Sequence, residues 1–201
     1  MYKIIFAGLF LTISTICYGQ NPPNVFKTYN EFKENKPSEY VDFSIELWSA
    51  GNLTNFKRRT YYRIKKVAPL SKRKALKKEV WGVIFEGSEY INSFPYSGLC
   101  EYDYIQGKGY YTYFNGKQID SYDMQVKLGI IKQGEKIKQL WGKSAYVILP
   151  DGTLKWLNPE LLKELISDNK ILLEELEAQN LKEEDVYKMF EILKRYNSTK
   201  K

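Results

Sequence analysis

Glu101 and Asp103 stand two residues apart in a stretch of strand character. Two residues apart on a strand is one face, with a separation of about 7 Å. Paired carboxylates at that spacing are what glycoside hydrolysis uses as acid and as base or nucleophile. The same spacing equally suits two polar positions facing water, and nothing beside them in sequence points to a cleft. The chain contains no histidine. That excludes Ser-His-Asp and Cys-His activation of a nucleophile, and histidine-ligated zinc. Chemistry by carboxylate, lysine or tyrosine stays open. Gly107-Lys108-Gly109 is too short for a dinucleotide fingerprint and lies between strand-like runs. No catalytic, metal or cofactor-binding residue is therefore assigned, and no cofactor is expected.

A second pattern is electrostatic. Between Lys57 and Lys78 there are 11 basic residues and no acidic one: Lys57, Arg58, Arg59, Arg63, Lys65, Lys66, Lys72, Arg73, Lys74, Lys77 and Lys78. One sign of charge over such a length attracts anions, here an anionic polysaccharide or lipid headgroups. Nucleic acid is not expected, since no recognition module accompanies the charge. Two other readings compete. Lysines along a solvated edge discourage aggregation, and the acidic run Glu174, Glu175, Glu177, Glu183, Glu184 and Asp185 could lie against the basic one.

A third pattern is aromatic. Eight of the 17 tyrosines lie between Tyr90 and Tyr122. Tyr102 and Tyr104 share a strand face with Cys100, and Tyr111 and Tyr113 share another. Exposed, such rings would suit sugars or an envelope protein partner. Buried, they would form cross-strand pairs that stabilise a sheet and leave Cys100 buried and inert.

These residues need elements to position them. Tyr40 to Trp48 alternates, with Val41, Phe43, Ile45 and Leu47 on one face, which predicts a half-buried strand. Thr60 to Val67 predicts a second, ended by Pro69. Val80–Phe85 and Ser88–Phe94 predict a hairpin closed at Glu86-Gly87; Leu99–Gln106 and Gly109–Asn115 predict another. Asn115-Gly116 and Asp151-Gly152 have the composition of type I′ turns, the latter between strands at Ser144–Leu149 and Thr153–Leu157. Thr28 with Glu31 has capping-box spacing for a short helix to about Asn35, pinned by Phe32. Asn158-Pro159 opens a helical segment. Its apolar stripes are Leu161, Leu162, Leu165 and Ile166, then Leu172, Leu173 and Leu176, then Val186, Met189, Phe190 and Leu193. Asn180 with Glu183 could cap the last. Trp81-Gly82 and Trp141-Gly142 recur, but two copies do not make a repeat array.

Met1 to Gly19 has the form of a signal peptide: Lys3, an apolar run from Ile4 to Ile16, then Cys17-Tyr18-Gly19. The run is shorter than the roughly 20 residues of a membrane span. A retained anchor and a lipid-modified Cys17 are the alternatives. Cleavage before Gln20 would leave Cys100 as the one thiol, so no internal disulfide could form. The expected locale is periplasmic or secreted, with no transmembrane segment in the mature chain. Two glycosylation sequons, at Asn52 and Asn197, read as chance matches.

Several short motifs carry a resemblance. They are the signal ending Tyr18-Gly19-Gln20, the lead-in Phe26-Lys27-Thr28-Tyr29-Asn30-Glu31-Phe32 with Asn35-Lys36-Pro37, and Val80-Trp81-Gly82. Tyr90-Ile91-Asn92, Gly109-Tyr110-Tyr111 and the tail Lys194-Arg195-Tyr196-Asn197 complete the set. Together they resemble small exported proteins of unknown function common in Bacteroidetes. That resemblance implies export, a β-rich body and a helical tail; it implies no catalytic or ligand-binding residue.

The expected fold is α+β and mainly antiparallel β, a meander sheet or partly closed barrel. The expected layout is a signal at 1–19, a leader and short helix at 20–39, and the β domain at 40–157. A helical segment at 158–196 and a disordered tail at 197–201 follow. The preferred function is non-catalytic binding or scaffolding in the cell envelope; the alternative is a carboxylate-based hydrolase using Glu101 and Asp103.

Overall fold

The computed structural model describes residues 22–51, 58–117, 119–139 and 144–200. The signal segment, the Asn52 sequon and Trp141-Gly142 lie outside the described residues. After β1 (Val25–Phe26), helix α1 (Tyr29–Lys33) is set by its cap. The Thr28 hydroxyl accepts from the Glu31 amide at 3.2 Å. The Glu31 carboxylate reaches back to the Lys27 amide at 2.6 Å, one residue beyond a standard capping box. Phe32 is buried, stacked on Trp81 at 4.3 Å and edge-on to Phe26 at 5.5 Å. This short helix is held mainly by aromatic packing, since one turn is too short to persist alone.

β2 (Asp42–Gly51) and β3 (Arg58–Ala68) form a long antiparallel ribbon with an irregularity between Asp42 and Ser44. Val41 and Phe43 are buried, yet Leu47, four residues on along the same alternation, is 61% exposed. The reason is topological: β3 meets the rest of the sheet at the Tyr62–Tyr102 pair, and the ribbon runs on past it.

The basic stretch then turns helical. A 3₁₀ turn at Leu70–Lys72 leads into α2 (Arg73–Lys78), which sinks Leu76 into the core. β4 (Gly82–Phe85) and β5 (Ser88–Asn92) form the predicted hairpin; Glu86 (φ 49°) and Gly87 (φ 73°) both take the left-handed region that a type I′ turn requires. Helix α3 (Phe94–Ser97) precedes β6 (Tyr102–Gly107) and β7 (Thr112–Gly116). Helix α4 (Tyr122–Leu128) precedes β8 (Ser144–Ile148) and β9 (Leu154–Trp156). The sheet runs β1-β4-β5-β6-β7-β8-β9, with β2 attached through β3 to β6. The fold is α+β, mainly an antiparallel sheet curled toward a half-barrel, with helices at both ends.

Two expected turns differ. Asn115-Gly116 is strand, paired with Ala145 and Ser144. A Cβ on Gly116 would lie 2.7 Å from the Tyr146 ring, so this glycine admits a side chain rather than a reversal. At Asp151-Gly152 only the glycine has positive φ (87°). The Gly152 amide donates to Leu149 C=O at 2.9 Å, and the Leu149 amide to Thr153 C=O at 2.9 Å. Pro150 opens that loop, and its ring forbids the positive φ of a type I′ first position.

The C-terminal helices are α5 (Pro159–Leu165), α6 (Lys170–Gln179) and α7 (Val186–Thr199). Asn158 and Asn169 cap the first two, accepting from Leu161 at 2.7 Å and Leu172 at 3.1 Å. Asn180 does not cap α7; it ends α6 in the left-handed region (φ 44°). The expected disordered tail is helical through Thr199.

β7 and β8 are covered on both faces. Tyr113 and Val147 pack under Leu162, Ile166, Met189, Phe190 and Leu193, while Phe114 and Tyr146 face Phe32, Ile119, Leu128 and Ile130. Burial on both sides is why β8 is buried at every position. The helical tail is therefore one wall of the core.

Candidate functional site

The two candidate carboxylates are buried: Glu101 is 5% and Asp103 7% exposed. This corrects the expectation of solvent-facing positions. The reason lies on other elements of the chain. Glu101 is ion-paired with Lys117, and Arg63 Nη2 lies 3.6 Å from its other oxygen. Asp103 accepts from the Tyr96 hydroxyl. Burial, then the Asp103 charge, pushes the Tyr96 phenol well above its ordinary range. The Tyr61 ring carries Lys117 at 4.5 Å and Arg63 at 4.7 Å; Trp48 carries Arg63 at 5.5 Å and Lys65 at 4.6 Å. Cations and rings thus alternate from Lys65 to Lys117 and end on Glu101. Opposite charges and π faces satisfy one another here. The cluster joins the β2–β3 ribbon to β6 and supports an architectural role for both carboxylates.

Of the two readings of the tyrosines, burial holds for three, and the alternative of an exposed face at Tyr102, Tyr111 and Tyr113 is corrected. Tyr102 is 1% exposed, and its hydroxyl donates to Leu76 C=O, which anchors α2. Burial pushes its phenol far up. Tyr111 and Tyr113 lie beneath α7: Tyr111 stacks on Tyr196 at 5.6 Å, and Tyr113 packs on Phe190 at 4.8 Å. Burial, then Tyr196, pushes the Tyr111 phenol up to about 12. Of the four, Tyr104 alone reaches the surface, at 36% exposure. Cross-strand aromatic packing is present, as between Tyr90 and Tyr104 at 5.7 Å. Cys100, expected buried, is half-buried.

A concave feature lies at the other end of β6. A cleft of about 610 Å³ opens between the β6–β7 turn and α7. The turn contributes Lys108, Gly109 and Tyr110; the helix contributes Tyr187, Phe190, Glu191, Lys194 and Asn197. Its walls are tied together by one side chain. Asn197 Nδ2 donates to Tyr111 C=O at 2.7 Å, and the Tyr111 amide donates to Asn197 Oδ1 at 2.9 Å. The amide thus satisfies the backbone as a neighbouring strand would. The turn must be bare to allow it. A Cβ on Gly109 would come within 2.7 Å of Asn197, and one on Gly107 would strike the Tyr113 ring. Tyr110 is 46% and Tyr187 66% exposed, one on each wall. Lys200 lies 5.9 Å from the Tyr110 ring centre and pairs with Asp168. Sequence reading took Gly107-Lys108-Gly109 as a turn and missed that it receives a helix. Asn197 lies 86 residues from Tyr111, and no local pattern links them.

Among the predicted anion-binding residues, Lys57 lies outside the described residues, and Arg58 and Arg59 sit at the start of β3. Lys72, Arg73, Lys74, Lys77 and Lys78 lie on the 3₁₀ turn and α2. Pairing with the acidic run, one of the competing expectations, is not found among the described residues. Glu175 takes Arg195, Glu177 takes Lys163, Glu183 takes Lys138 and Asp185 takes Lys188. Four of the six acidic residues are thus paired within their own half of the chain.

Among the described residues there is no group of metal-ligating side chains, and no helix long and apolar enough to cross a membrane. A family model described as "Family of unknown function (DUF6563)" matches residues 24–200. Comparison with curated proteins and with solved structures finds no match.

Proposed function

The chain belongs to this family of unknown function, and we propose that it is an exported, non-catalytic binding protein of the cell envelope. Its ligand site is the cleft between the β6–β7 turn and α7, and its ligand is a glycan. Support for export is the signal-like segment from Met1 to Gly19. The single observation that carries the binding role is the cleft itself, with exposed tyrosine rings on both walls. Flat rings with polar tips stack on sugar faces, while amides and ammonium groups take hydroxyls. Asn197 holds the two walls in register before any ligand arrives, which lowers the ordering cost of binding. Catalysis draws no comparable support, because Glu101 and Asp103 lie outside the cleft and are engaged by Lys117, Arg63 and Tyr96.

The test is calorimetry against a panel of oligosaccharides. At least one should bind, and Tyr187→Ala should weaken it by roughly three- to tenfold, the worth of one aromatic contact. Silence across the panel, or full-strength binding by a Tyr110→Ala/Tyr187→Ala double variant, would dismiss the cleft as a glycan site.

A further inference from the structure

One surface is left unused by the cleft and by the buried ion cluster. It is the 3₁₀ turn at Leu70–Lys72 with α2, and it stands near the Tyr102 end of β6, away from the cleft at the Gly107 end. Leu76 is buried at 1% exposure, and its carbonyl is held by Tyr102. Helix periodicity then fixes the rest. Lys74 and Lys78 fall on the face roughly opposite Leu76, and Arg73 and Lys77 fall together on one side of it. Lys66, four residues before Leu70 in the chain, is exposed near the end of β3 with a left-handed backbone (φ 48°).

Compensation is partial. Glu39 takes Lys72 at 2.5 Å and Lys27 at 3.2 Å, and Glu79 lies 3.7 Å from Lys74. Lys66, Arg73, Lys77 and Lys78 have no carboxylate partner among the described residues; Lys78 lies over the Phe94 ring at 5.1 Å. Beside these cations Leu70 stands 73% exposed. An apolar side chain raised next to unmatched ammonium and guanidinium groups is the arrangement that suits a bilayer surface. The leucine enters between headgroups, and the cations meet phosphates. A hydrated polymer would use the charge but would gain nothing from the leucine.

We propose that Leu70 and the cations Lys66, Arg73, Lys77 and Lys78 form a docking surface for an anionic phospholipid bilayer. α2 lies along the membrane plane, with its axis fixed by Leu76 and Tyr102. Attachment is peripheral and reversible, since the described residues offer no spanning helix. Each unmatched cation should raise the partition coefficient about fivefold at low salt, and screening should erode that gain as salt rises. The proposal does not depend on the cleft, so failure of either leaves the other standing.

The experiment is vesicle flotation of the chain from Gln20 onward, which holds every described element. Phosphatidylcholine vesicles containing phosphatidylglycerol should carry the protein; pure phosphatidylcholine vesicles should not. Lys77→Glu/Lys78→Glu should lower partition by more than about twentyfold. Leu70→Ser leaves charge untouched, removes no buried contact, and should lower it several-fold. Failure to float, or equal flotation with both vesicle types, overturns the proposal. So does unchanged flotation of Leu70→Ser combined with release of the protein by soluble alginate, which would assign the surface to anionic polysaccharide.

Discussion

The two ends of β6 solve the same problem in different ways. At the Tyr102 end, charge is buried and matched: Glu101 meets Lys117 and Arg63, and Asp103 meets Tyr96. At the Gly107 end the turn is stripped to glycine, and a single amide, Asn197, stands in for a neighbouring strand. The first arrangement buries both carboxylates against their partners. The second holds two walls together and leaves a cleft between them. The close array of titratable side chains therefore does not coincide with the cleft proposed as the ligand site. The proposed site lies where packing is bridged rather than filled.

The contrast can be broken most severely at the buried end. Removing one partner of a buried ion pair strands the other charge, at a cost of about 3–5 kcal/mol. Glu101→Gln should lower unfolding free energy by that order in urea denaturation, and Glu101→Leu/Lys117→Met should recover most of it. A loss below about 1 kcal/mol would mean that the cluster is solvated like a surface pair.

At the open end the expected loss is smaller. Asn197→Ala removes two hydrogen bonds and leaves the Tyr111 amide and carbonyl unpaired, for about 2 kcal/mol. Amide hydrogen exchange at Tyr111 should accelerate in this variant while exchange in β5 stays as it was. Uniform acceleration would show that the clamp is not local.

The alkaline limb sharpens the comparison further. The Tyr111 phenol titrates near 12 in the fold, against an ordinary value near 10. The folded state therefore keeps a proton that the unfolded state releases. Its contribution is intact below about pH 10 and is lost as pH rises through 12. Tyr111→Phe should flatten the fall in thermal midpoint between those values. An unchanged slope would transfer the effect to Tyr102 and Tyr146, whose phenols are also raised by burial.

The smallest expected effect is at the cleft rim. Tyr187 is mostly exposed, so Tyr187→Ala should change stability by less than about 0.5 kcal/mol while still weakening ligand binding. A large stability loss would reassign Tyr187 from ligand contact to packing.

Legibility followed the range of the interaction. The Thr28 and Asn158 caps, the Glu86-Gly87 turn and the α7 stripe all depend on neighbours within a few residues. Each was readable because local hydrogen bonding and φ preference decide it. Asn115-Gly116 has equally strong turn chemistry, yet pairing with β8 overrode it. Leu47 kept its strand alternation but not its burial, because the ribbon outruns the sheet. The run Arg73–Lys78 is made of good helix formers and folds as α2, although it lacks the apolar periodicity that marks a longer helix.

From its own residues, the chain determined its class: alternating apolar strands, capped terminal helices, no histidine, and a basic stretch with no acid inside it. Tertiary structure decided what each polar group means. Glu101 reads as a surface carboxylate until Arg63 from β3 and Lys117 from just beyond β7 arrive, and Asn197 reads as a loose end until Tyr111 lies beside it. The physical reason is that desolvation and pairing are set by what lies across space, and a polar side chain carries no record of that in its sequence neighbours.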